Sequence, residues 1–184
     1  TVLTNTTASF NIASASAGAD VGSWINSFEL EIGKTYTHIR STINSTFTIA
    51  GYTTNSSISS SYCVTESSPN TAASHNTAPI VDGSNSTTTA DMSWVIPNEA
   101  DADNGSFYGD LSSDFSTNSI TKTNDSSTFY WVGTLANSYT PNINSAPKIT
   151  ISFDVANQLR SQQAGADTCY MYVLPPTVSV SLTD

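Results

Sequence analysis

The chain reads as an all-β protein, a sandwich of two stacked antiparallel sheets, on three observations. Apolar and polar residues alternate with period two along most of its length, no stretch of useful length keeps helical spacing, and turn-forming dipeptides separate the runs. Each such strand has one wet face and one dry face, and two facing sheets bury the dry ones. At 184 residues the chain is long enough to close a hydrophobic core as one ordinary domain.

The elements follow in order. Over residues 1–12, Val2, Thr4, Thr6, Ala8, Phe10 and Ile12 share one side of an extended segment, which is a strand pattern. Residues 13–20 are small, with no anchoring side chain, and read as a connector. The expected division is an arm over residues 1–16 and a head over residues 17–184. In the head, residues 24–32 form a half-buried strand with Trp24, Phe28, Leu30 and Ile32 inward and Ser27, Glu29 and Glu31 outward. Residues 37–49 place Ile39, Ile43, Phe47 and Ile49 on one side, and either one long strand or two abutting ones satisfies this. Further strands are expected at 58–65, 91–96, 118–123, 128–135, 148–155, 168–174 and 177–183. Residues 155–163 are the one helical candidate, a turn or two at most. Asp82-Gly83, Asn104-Gly105 and Asn124-Asp125 supply turn chemistry between runs.

Composition narrows the function. Charged residues make up 11% of the chain, roughly half the usual share, while 31 Ser and 27 Thr take their place on the surface. The 10% aromatic content supplies the apolar area that disordered chains lack. Five basic against fifteen acidic residues leave a net charge of −10, which offers no footprint for nucleic acid and none for anionic lipid. The longest apolar run, residues 169–174, is far short of the ~20 that span a bilayer. Thr1 in place of Met fits removal of a secretory signal. Cys63 and Cys169, an even pair too far apart for a metal-binding motif, are expected to form one disulfide in an oxidising compartment.

Catalytic chemistry is thinly provided. His38 falls on the polar face of its strand and His75 in a loop of small residues, and no nucleophile-elbow pattern accompanies the many serines. Glu29, Glu31, Glu66 and Glu99 fit a solvated surface better than a glycosidase pair. Asp101-Ala102-Asp103-Asn104-Gly105 echoes the start of a calcium loop, yet Ser112 stands where a bidentate Glu belongs. The expectation is no enzyme, no metal and no cofactor. Six Asn-X-Ser/Thr acceptors, at Asn5, Asn44, Asn55, Asn85, Asn104 and Asn124, lie at positions a glycosylation enzyme reaches, and several are expected to carry N-glycans.

A strand on a tether suggests donor-strand exchange, in which the arm completes a neighbouring copy by β-augmentation. The alternative is that residues 2–12 are the first strand of their own sandwich. Residues 177–183, with Val178, Val180 and Leu182 alternating, compete for the donor role, although a disulfide at Cys169 would pin them. In its arm over residues 1–12, its Ser/Thr/Asn-rich head with scattered acceptor sites and its shortage of charge, the chain resembles subunits of the archaeal threads of the Sulfolobales. More distantly it is similar to archaeal bundling pilins and TasA-like biofilm fibre proteins. The resemblance implies a pilin-like, immunoglobulin-like β-sandwich with an N-terminal donor strand, glycosylated and assembled head to tail with copies of itself into a cell-surface filament for adhesion or biofilm. Two other classes stay open. One is a secreted carbohydrate-binding module using Trp24, Trp94, Trp131 and the tyrosines, and the other is a viral capsid or surface-layer protein.

Overall fold

The structure is a computed structural model that describes residues 1–12, 22–23, 25, 28–102 and 115–184. Trp24, Asn26, Ser27, the connector, the expected arm boundary at residue 16, Asn104 and the Asp103-Asn104-Gly105 run lie outside these residues. The fold is all-β, with 45% strand and 4% helix, so strand pairing carries its architecture.

Among the described residues twelve strands follow one another: β1 Tyr36–Asn44, β2 Thr46–Ile49, β3 Tyr52–Thr54, β4 Tyr62–Val64, β5 Ile80–Ser84, β6 Met92–Val95, β7 Ile120–Thr121, β8 Thr128–Tyr139, β9 Lys148–Asp154, β10 Leu159–Gly165, β11 Thr168–Val173 and β12 Thr177–Thr183. One helical turn, Glu99–Ala102, follows β6. The chain clusters into two compact units, one of Thr1–Arg40, Val132–Ala156 and Pro176–Asp184, the other of Ser41–Trp131 and Asn157–Pro175.

The second unit holds the larger core. Its sheet runs β10-β11-β5-β4-β3, and β2 pairs with β6 in a separate ribbon. Ile58, Val81, Met92, Met171 and both cysteines form one buried cluster, with Ile49 and Leu159 packed against it, so the ribbon faces the sheet across an apolar layer. Cys63 and Cys169 are joined with their Cα atoms 6.0 Å apart. They lie on β4 and β11, which flank β5 on either side. Strands two apart in a flat sheet sit about 9.5 Å from each other. The disulfide therefore requires the sheet to curl, and it does: Thr53 on β3 and Ser161 on β10, from its opposite edges, share a hydrogen bond of 2.6 Å between their hydroxyls.

Gly83 serves this curl. A Cβ there would collide with the carboxylate of Asp167 and meet Ile58 Cδ1 at 3.1 Å. Asp167 is drawn in because its carboxylate accepts the Ser60 N–H at 2.8 Å and the Ser60 hydroxyl at 3.0 Å. Asp82-Gly83, expected as a turn, is thus the middle of β5, with glycine selected by close approach.

Ser45 settles the long run at 37–49. It is buried, its N–H donates to the Ser127 carbonyl at 2.8 Å and its hydroxyl to the Ser126 carbonyl at 3.0 Å, and the run breaks there into β1 and β2. Residues 155–163, expected to hold a helical turn, instead reverse at Asn157 (φ 56°) and enter β10, where Leu159 to Gln163 pair with Val173 to Cys169. Residues 28–32 carry no strand. They form a loop that turns at Gly33 (φ 77°), whose N–H donates to the Pro141 carbonyl at 2.9 Å.

The first unit is built on the sheet β1-β8-β12-β9. β12 lies between β8 and β9, antiparallel to β9 over seven residue pairs and parallel to β8 at Val180 and Leu135. The expected strand at 177–183 is therefore an internal strand of its own sheet.

Candidate functional site

The first unit presents two features suited to assembly: an exposed arm outside the sheets and an open sheet edge. Residues 1–12 pair with none of the described strands, and most of their side chains face solvent. Val2 is 84% exposed and Phe10 39%. Thr4, Thr6 and Ala8 carry the same side between them, and Ile12 is half-buried. The arm touches its own unit where the Thr1 and Tyr36 hydroxyls meet at 3.3 Å and where Phe10 lies against Gly22. An apolar residue left in water forgoes ~1.5–3 kcal/mol of burial, so two large exposed ones in one short segment mark a surface awaiting cover.

The edge is β9. Its partner β12 covers one side, and no described strand lies on the other. Ile149, Ile151 and Phe153 stand opposite Leu182, Val180 and Val178, which puts six apolar side chains on one face. Phe153 remains 38% exposed. Lys148 and Asp154 close the two ends of the strand, as charges do at edges that must not pair indiscriminately. In the second unit, by contrast, the curl brings the edge strands β3 and β10 together.

Beside the loop at 28–33 the first unit also has a groove of about 340 Å³, lined by Phe28, Leu30, Ile32, Pro141, Ile143 and Pro147 among others. Glu29, Asn142 and Ser145 share this lining with the apolar side chains, and with Glu29 as its one acid the groove offers no cluster of titratable groups. Among the described residues no group of His, Cys, Asp and Glu has the arrangement to hold a metal. No helix among them is long and apolar enough to cross a membrane.

Comparison with known proteins finds no matching family model, curated protein or solved structure.

The other predicted residues are placed as follows. Cys63 and Cys169 form the expected disulfide, buried in the second unit. Asn5, Asn44, Asn85 and Asn124 are exposed, while Asn55 is half-buried and accepts the Ser57 N–H at 3.0 Å. His38 is exposed and hydrogen-bonded to Thr37, whereas the His75 ring reaches the Ile96 carbonyl at 3.2 Å. Glu29, Glu31 and Glu99 are exposed. Glu66 accepts the Asp82 N–H at 2.9 Å, and burial raises its carboxyl above the usual range against the effect of that bond. Trp94 and Trp131 are core residues, Trp94 within 6.0 Å of the Phe47 ring, so neither lies on an exposed sugar-stacking platform.

Sequence reasoning passed over one constellation in the second unit. Lys122 and Asn98 are both buried, and Nζ donates to Asn98 Oδ1 at 2.9 Å. The Asp125 N–H donates to the same oxygen at 2.8 Å. The one available signal was Lys122 sharing a strand face with Ile120, a cation at a position the alternation assigns to the interior.

Proposed function

We propose that this chain is a structural subunit of an extracellular filament, polymerising head to tail by donor-strand complementation, with residues 1–12 of one copy adding to the free edge of β9 in the next. The observation that carries the reading is the meeting of opposites within one unit: an exposed alternating segment that lies outside the sheets, and a strand edge that no described strand covers. Twelve residues at ~3.3 Å each reach about 40 Å, more than the seven residues of β9 need. Ladder hydrogen bonds would fix the register, and burial of Val2, Phe10 and Ile12 would contribute ~1.5–3 kcal/mol apiece. β12 is a poor donor for another copy because it is held on both sides within its own sheet. The buried disulfide suits an oxidising compartment, and exposed Asn5, Asn44, Asn85 and Asn124 are accessible to glycan transfer. Adhesion or biofilm cohesion is the role such a fibre would serve.

The test is deletion of residues 1–16. Negative-stain microscopy should show filaments from the full chain and folded monomers from the deletion, with synthetic peptide 1–12 binding the monomer. Filaments of normal length from the deletion would refute the reading.

A further inference from the structure

The Lys122 constellation has no part in the filament reading and stands independently of it. Lys122, Asp125 and Asp101, from separated positions, meet around the side-chain amide of Asn98. Asn98 is held at its backbone, its N–H donating to the His75 carbonyl at 2.9 Å while its own carbonyl accepts the Asp101 N–H at 3.1 Å. Its side-chain oxygen accepts from Lys122 Nζ and from the Asp125 N–H. Its side-chain nitrogen donates to Asp125 Oδ1 at 3.0 Å and Asp101 Oδ2 at 3.3 Å.

This arrangement divides the amide by chemistry. Donors polarise the carbonyl from the oxygen side, the Asp125 N–H standing where an oxyanion would need it. Carboxylates gather at the nitrogen, the end that would depart. The amine sits at the carbonyl, hydrogen-bonded to a neutral oxygen, although a buried ammonium is ordinarily matched with an anion. Lys122 is 9% exposed and Asn98 4%, so bulk water has little access to compete as nucleophile. Burial lowers the pKa of the lysine, against the opposing pull of Asp125 and Asp101, and enlarges the neutral fraction able to attack.

We propose that Lys122 and Asn98 condense into an intramolecular isopeptide bond, with Asp125 as the proton relay. The neutral Nζ attacks Cγ of Asn98 and forms a tetrahedral intermediate whose oxygen is held by the Asp125 N–H. The Cγ–Nδ2 bond then breaks. Asp125, the nearer carboxyl, passes the proton shed by Nζ to Nδ2, which leaves as ammonia. One amide is exchanged for another, so no oxidant, reductant or activated co-reactant is required. The product ties the loop after β6 to the segment between β7 and β8, closing a loop with a sequence separation of 24.

The experiment is mass spectrometry of the full chain, made in a host that does not N-glycosylate. The intact mass should fall short by one ammonia, about 17 Da, beyond the disulfide. Trypsin should leave Lys122 uncut in a branched peptide that carries Asn98. Lys122→Arg should restore the full mass, which separates the cross-link from ammonia lost by cyclisation at Asn104-Gly105. Asp125→Asn, which keeps the backbone donor, should slow bond formation at least tenfold. Wild-type protein that is folded, cleaved at Lys122 and unmodified at Asn98 overturns the proposal without reference to any variant. Cross-linking of Asp125→Asn at the wild-type rate overturns the relay.

Discussion

Replacing both cysteines by alanine tests how the curled sheet of the second unit is held. The bond closes a loop with a sequence separation of 106, and restraining so long a loop in the unfolded chain is worth about 4.7 kcal/mol. Both sulfurs lie in the cluster with Ile58, Val81, Met92 and Met171, so their removal leaves a gap that adds about 1 kcal/mol. Against a typical domain stability of 5–15 kcal/mol, a loss near 5–6 removes at least a third. The assay is urea unfolding followed by tryptophan fluorescence, to which the buried Trp94 and Trp131 contribute. With a urea dependence of about 2 kcal/mol per molar, the midpoint should fall by about 2.5–3 M. Reduction of the wild-type disulfide should lower it slightly less, since reduction opens the loop without leaving a gap. The slope should also steepen, because an unrestrained chain exposes more surface. A midpoint shift below about 0.5 M would refute this account and place the curl in the apolar cluster alone.

Two further outcomes follow from local geometry. Gly83→Ala should cost about 1–3 kcal/mol in the same assay, because the added methyl displaces Asp167 from Ser60. Glu66→Gln should stabilise the protein at neutral pH, in thermal melts across a pH series. Burial raises the folded-state pKa above the ordinary 4.5, so the folded protein holds more protons between the two values and wild-type stability falls as pH rises through that interval. Glutamine retains an oxygen for the Asp82 N–H, and its advantage should vanish below the unfolded value.

Period two made most strands legible because it records which face is dry. It gave residues 177–183 with the bounds of β12 and residues 148–155 to within one residue. It gave no topology, since alternation is indifferent to which neighbour a strand takes, and the insertion of β12 between β8 and β9 leaves no local mark. Asp82-Gly83 misled because glycine serves a turn and a close contact equally well, and only Asp167, far along the chain, distinguishes them. Residues 155–163 lacked alternation because β10 exposes Arg160, Gln162 and Gln163 and is fixed by pairing with β11. Within the candidate site, the arm was visible as an alternating segment before a weak connector. The Lys122 cluster was not, because Asn98, Asp101, Lys122 and Asp125 are ordinary surface residue types that only the folded chain brings together.

The place of β12 bears on when this molecule can finish folding. Its two neighbours are consecutive strands that would ordinarily zip together as a hairpin, yet they must stay apart until residues 177–183 have been synthesised. That half of the protein therefore stays incomplete until this last of its strands has emerged, with slow, non-local pairing as the step that closes the sheet.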